Sequence, residues 1–126
     1  MFFNCLSVGI GGFIGSVFRY LIGLSPVLRQ GALPLQTLLV NVVGAIFIGM
    51  ILKWTQSGVV VNEQLTLFLR IGICGGFTTF STFSQETAAM IQEGRWPPAF
   101  SYALLSVGLC VLGVFLGQWT AGKFSS

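Results

Sequence analysis

Four apolar runs, each about as long as a helix that crosses a lipid bilayer, leave this chain little choice of fold. They fall at roughly 3–24, 35–54, 65–93 and 98–120, and they take up most of the 126 residues. Charged residues make up 7% of the chain and hydrophobic ones 54%, whereas a soluble domain carries about a quarter charged residues. The chain is therefore read as an all-α integral membrane protein with a single transmembrane domain and no soluble one. Arg19 interrupts the first run, but apolar residues continue to Leu24. A signal peptide has a shorter apolar core and a small-residue cleavage site, so this segment is read as a retained helix.

The connecting stretches SPVLRQGALP, TQSGVVVNEQ and EGRWPP carry turn and cap chemistry. Asn62 or Thr66 suits the cap of the third helix, and Pro97 and Pro98 suit the first turn of the fourth. Trp54, Trp96 and Trp119 fall at expected helix ends, where an aromatic belt places them. An even number of spans puts both termini on one side of the membrane.

The basic residues are unusually balanced. Lys53, Arg70 and Lys123 belong to the side of the termini, and Arg19, Arg29 and Arg95 to the other, three against three. Orientation normally follows Lys/Arg asymmetry. A balanced chain is consistent with insertion both ways, which permits an antiparallel two-fold dimer. Gly11 and Gly15, Gly12 and Ser16, and Gly113 and Gly117 are small residues at four-residue spacing, which lets helix backbones approach in lipid.

The third run is the anomaly. It is about 29 residues long, and its middle reads GICGGFTTFSTFSQE, Gly72 to Glu86. Glycines, hydroxyls and phenylalanines replace an unbroken apolar surface there. Irregular backbone at membrane depth is tolerated only where protein buries it or water reaches it. The clustering of Gly72, Gly75, Gly76, Thr78 and Thr79 predicts an interruption near Gly75-Gly76. Phe80 and Phe83 stay roughly on one side of a helix of period 3.6, interleaved with Ser81, Thr82 and Ser84. An aromatic ring is positive at its edge, so ring edges beside hydroxyl donors suit a weakly held, mobile anion. Packing or lipid contact is the competing reading of the same rings.

Polar groups in the other runs extend the pattern. Thr37 and Asn41 share a face of the second helix, and the amide fits either a bond to another helix or a donor for an anion. Ser106 follows Tyr102 by one turn on the fourth. Glu86 is an intramembrane carboxylate, a functional candidate by default, and a proton-coupled, cation-binding or gating role all fit it. Arg19 either snorkels to the interface or lines a vestibule. The chain has no histidine or aspartate and no nucleophile paired with a base, so it is not read as an enzyme. Without a basic cluster it is not read as binding nucleic acid either. Cys5, Cys74 and Cys110 lack metal-ligand spacing and are read as small buried hydrophobes.

The segments GGFIGSVFRY (Gly11 to Tyr20), NVVGAIFIG (Asn41 to Gly49) and GGFTTFSTFSQE (Gly75 to Glu86) together resemble the Fluc, or CrcB, fluoride channels of prokaryotes. The resemblance covers essentially the whole chain. It implies a dual-topology antiparallel homodimer in the inner (plasma) membrane, with two fluoride pores giving passive export of fluoride from the cytoplasm. By motif position it implies that Phe80, Phe83 and Asn41 line each pore. Ser81, Thr82, Ser84, Thr37 and Glu86 would continue the polar path, with Ser106 a looser candidate. It further implies a structural Na⁺ at the dimer centre, held by the backbone carbonyls of Gly75 and Thr78, with Arg19 in a vestibule or structural role. The chief competitor is a small dual-topology proton-coupled multidrug antiporter. That chemistry wants an acidic residue in the first helix, where this chain has Arg19 and no acid.

Overall fold

The computed structural model describes residues 1–60 and 62–124. These residues form helices joined by short turns, with no strand among them. In chain order the helices are α1 (Phe2–Gly23), α2 (Leu35–Gln56), α3 (Glu63–Leu67), α4 (Gly75–Phe77), α5 (Phe80–Gln92) and α6 (Trp96–Phe124), with a short 3₁₀ turn at Val27–Arg29 and a wider π-helical stretch at Phe68–Cys74. Four segments are long and apolar enough to cross a membrane: Phe2–Gly23, Leu35–Gln56, Glu63–Gln92 and Trp96–Phe124. Their ends extend a few residues past several of the boundaries expected from hydropathy, because capping decides where a helix stops.

Those caps are local chemistry. The Asn62 side chain accepts from the Leu65 amide at 2.9 Å and opens α3. Thr66, the other candidate cap, lies inside the first turn and donates its hydroxyl to Asn62 O. Trp96, Pro97 and Pro98 together form the first turn of α6, where a missing amide N–H costs nothing. Gly58 and Gly94 stand two residues past the last residues of α2 and α5, both with positive φ (78° and 76°). At each, the following amide reaches back five residues, Val59 N to Trp54 O and Arg95 N to Met90 O. This is the glycine-dependent closure that satisfies the last carbonyls of a helix.

Small residues set the packing. Gly11 and Gly15 of α1 lie against the backbone of Phe68–Phe77, and Gly76 lies against Gly12. On the other side Gly117 of α6 faces Ile46 and Met50 of α2, and Gly49 of α2 faces Val114. The bundle is thus two close helix pairs, α1 with the third span and α2 with α6. A small cluster of Met90, Ala99 and Tyr102, with Leu33, Leu38 and Phe83 against it, ties α5 to the other helices. Large apolar side chains elsewhere, such as Phe13, Leu104 and Phe115, are well over half exposed, as a lipid-facing surface requires. Cys74 is buried as its surroundings suggest, Cys110 is half-buried, and Cys5 is exposed on the first turns of α1.

The third span departs from α-helical geometry within the expected cluster, in the π-helical stretch that contains Gly72 and at Thr78-Thr79, two residues past the glycine pair. Gly75 and Gly76 are helical; Gly76 serves instead to let α1 approach, since a side chain there would meet Gly12. The extended residues are Thr78 (φ −87°, ψ 158°) and Thr79 (φ −150°, ψ 114°). Thr79 then caps α5, its side chain accepting from the Thr82 amide at 3.2 Å.

Candidate functional site

Two residues in extended conformation inside a span need partners for their backbone groups; the Thr78 amide still donates to Cys74 O, and α2 serves both groups of Thr79. Asn41 Oδ1 accepts from the Thr79 amide at 2.7 Å, while its Nδ2 donates to the Thr79 carbonyl at 3.0 Å. Of the two roles open to this amide, the structure shows the helix-bridging one. Arg19 acts similarly from α1. Its Nε donates to Gly76 O at 3.0 Å, so the side chain turns inward onto the third span instead of snorkelling outward. Replacing Asn41 by leucine leaves both Thr79 groups unpaired, at ~1–3 kcal/mol for each. The expected result is a clear drop in thermal stability in detergent. Asn41→Asp keeps the acceptor for the Thr79 amide and should fall in between; equal stability of all three proteins would dissociate Asn41 from this clamp.

The extended pair also releases carbonyls. In a continuous helix the Thr79 amide would close on Gly75 O and the Thr82 amide on Thr78 O. Here those amides donate to Asn41 and to the Thr79 hydroxyl. Gly75 and Thr78 thereby lose their helical donors, and hard carbonyl oxygens of this kind suit a small cation such as Na⁺.

Glu86 of α5 anchors a second set. Its Oε1 accepts from the Thr37 hydroxyl and its Oε2 from the Tyr102 hydroxyl, each at 2.6 Å. These lengths are typical of hydroxyls donating to a carboxylate. Three helices, α2, α5 and α6, are thereby joined through one side chain. Sequence reading placed Thr37 and Glu86 in the polar path but used Tyr102 only as a spacing mark for Ser106. The aromatic series continues from the same tyrosine: Phe83 lies 5.1 Å from Tyr102 and Phe80 5.4 Å from Phe83, centroid to centroid, both tilted. Phe77 is not part of this line and packs towards Gly44 of α2.

These residues border two adjoining spaces. A chamber of about 200 Å³ is lined by Arg19, Gln36, Thr37, Thr79, Thr82 and Glu86. A more open groove of about 380 Å³, between α2, α5 and α6, is lined by Asn41, Thr79, Phe80, Phe83, Ser106 and Cys110 among others. Thr79 borders both. Ser106 is buried, and its hydroxyl has no hydrogen-bond partner in the protomer. Ser81 and Ser84 are exposed on α5 and border neither space; the Ser84 hydroxyl donates back to Phe80 O at 2.9 Å. Phe80 itself is 77% exposed. Among the described residues no cluster of acidic, histidine or cysteine side chains is placed to hold a metal.

The fold and this track define a multi-pass helical membrane protein with hydroxyl, amide and aromatic groups aligned across one irregular span. The chain belongs to the CrcB family: the family described as CrcB-like protein, Camphor Resistance (CrcB), matches residues 6–118. Its relatives include a protein of Phocaeicola vulgatus named fluoride-specific ion channel FluC, 46% identical over 92% of this chain and 96% of that one. A protein of the same name from Ruminiclostridium cellulolyticum is 40% identical over 98% of this chain and 95% of its own length. A third, from Shewanella woodyi, is 44% identical over 91% and 93%.

Proposed function

We propose that the protein is a fluoride-selective channel that lets fluoride leave the cytoplasm passively, built as an antiparallel dual-topology homodimer with two pores. The observation that carries this reading is the groove itself. Phe80 and Phe83, the unpartnered Ser106 hydroxyl and Asn41 border one space. That space adjoins the chamber of Arg19, Thr37, Thr82 and Glu86 through Thr79. Fluoride is small and strongly hydrated, so donors must replace water along its way. Size and field strength together then exclude larger halides. The relatives named as fluoride channels give the same ion.

A second copy of the chain completes the groove in this proposal. Phe80, Ser81 and Ser84 form an exposed face that mixes an aromatic ring with hydroxyls, a poor surface to leave against lipid. The even balance of basic residues fits insertion in both orientations. Two copies related by a two-fold axis bring the Gly75 and Thr78 carbonyls together around one Na⁺, which supplies charge and cross-links the two irregular spans. Exchanging all Na⁺ for a large organic cation should weaken the dimer on gel filtration, and an indifferent dimer would remove the sodium from the proposal.

The test of the channel is ion release from liposomes holding the purified protein, with a fluoride electrode and a parallel chloride measurement. Fast fluoride release with chloride retained is expected. Proton-driven efflux of cationic dyes without fluoride release would replace the channel by an antiporter.

A further inference from the structure

A third cavity, of about 320 Å³, lies at the end of the bundle where the loop after α1 meets the end of α5 and the start of α6. Arg29, Gln36, Glu86, Glu93 and Arg95 border it. Gln36 and Glu86 are the two residues that it shares with the inner chamber. The two spaces therefore have this pair of side chains as their common border.

The charged side chains around the threshold are engaged elsewhere. Arg29 donates through Nε and Nη2 to Gly23 O. Arg95 donates to Ala32 O and pairs with Glu93 at 3.3 Å. Arg19 donates to Gly76 O. Both oxygens of Glu86 accept hydroxyls, from Thr37 and Tyr102. Gln36 is different: its Oε1 is buried and without a hydrogen-bond partner. The Nε2 end of the same amide is not enclosed and carries no hydrogen bond among the described residues, so it keeps two free donors on its unburied side.

We propose that Gln36 is the anion-contacting residue at the threshold between the outer cavity and the inner chamber, its amide N–H groups holding fluoride as it passes the Glu86 carboxylate. The inference rests on the channel reading. A carboxylate beside an anion path raises a barrier, and a neutral amide on the same border lowers it without trapping the ion as a fixed positive charge would. Sequence reading passed over Gln36, because a glutamine near a helix start is ordinarily a solvated residue.

Two substitutions of similar volume separate contact from packing. Gln36→Met removes the donors, and fluoride release from liposomes should fall about tenfold, the effect of losing one hydrogen bond to an ion. Gln36→Glu keeps the shape but adds a negative charge, and should conduct less than Gln36→Met. Both are compared as dimers verified by gel filtration. A Gln36→Glu protein that conducts as well as or better than Gln36→Met would mark a shape requirement and overturn the proposal, as would wild-type flux in both. A flux-independent measurement runs alongside: ¹⁹F line broadening of fluoride by the purified protein, which should shrink in Gln36→Met. If wild-type protein releases no fluoride but the broadening depends on Gln36, the channel reading falls and the contact stands. Broadening that is the same in wild type and Gln36→Met overturns the contact, whatever the flux.

Discussion

Fluoride efflux is expected to fall on the order of tenfold to a hundredfold when Phe80 is replaced by isoleucine, with the protein still folded and dimeric. An aliphatic side chain keeps the apolar bulk but has no positive ring edge, and each ~1.4 kcal/mol of lost stabilisation along the path is a factor of ten in rate. Phe80 is the cleaner of the two phenylalanines to test. It is 77% exposed in the protomer, so the protomer's own core does not depend on it. Phe83 also packs on Tyr102 and on the cluster around Met90 and Ala99. Its replacement should cost both flux and stability, the latter by roughly 1–3 kcal/mol from the cavity left behind. Liposome efflux together with thermal melting of each variant separates the two effects. Wild-type efflux in a folded Phe80→Ile dimer would take the ring edges out of the ion path.

The second large effect is structural. Gly117→Val should prevent recovery of a folded dimer. A side chain at Gly117 would overlap the Ile46 carbonyl and come within 2.9 Å of the Met50 amide. These are backbone atoms of α2 that cannot move aside without separating the pair. Overpacking typically costs ~1–3 kcal/mol where side chains can adjust, and a collision with backbone lies at the upper end or beyond. Because α2 carries Thr37 and Asn41 while α6 carries Tyr102 and Ser106, separating them also dismantles the track. Gly9→Ala is the control. Nothing lies within 4 Å of that position, so the alanine protein should give the wild-type yield of dimer and melt at or slightly above the wild-type temperature. Equal recovery of the Gly117 and Gly9 variants would refute the glycine-set packing.

The functional residues differ in how far the chain alone exposes them. Phe80 and Phe83 were legible as neighbours, because three residues along one helix bring two side chains to nearly the same face. Thr37 and Asn41 were legible as a pair for the same reason. Their partners were not. Asn41 reaches across 38 positions to Thr79, and Thr37 reaches across 49 to Glu86; no periodicity within one helix carries that information. Arg19 reaches across 57 positions to Gly76 O, a contact that neither of its two readings contained. The cluster of Gly72, Gly75, Gly76, Thr78 and Thr79 pointed to an interruption near Gly75-Gly76, but it did not say that the two threonines leave the helix while the glycine pair stays in it. What moves Thr78 and Thr79 out of the helix is an amide on another helix that can satisfy both backbone groups of Thr79.

Gln36 and Tyr102 show the same limit from the other direction. Neither stands out by composition, since one is a polar residue near a helix start and the other an aromatic near a membrane surface. Each acquires its place from neighbours supplied by other helices. The four spans, the turn-rich stretches between them, Pro97-Pro98 at the start of α6 and the glycine faces can all be read along the chain, because they depend on hydropathy, φ or side-chain size at single positions. The tertiary structure decided which hydroxyl meets Glu86, which amide holds Thr79 and which polar groups are left free to meet an ion. Those outcomes depend on distances between helices, and interhelical distance is set by the packing of all four spans at once.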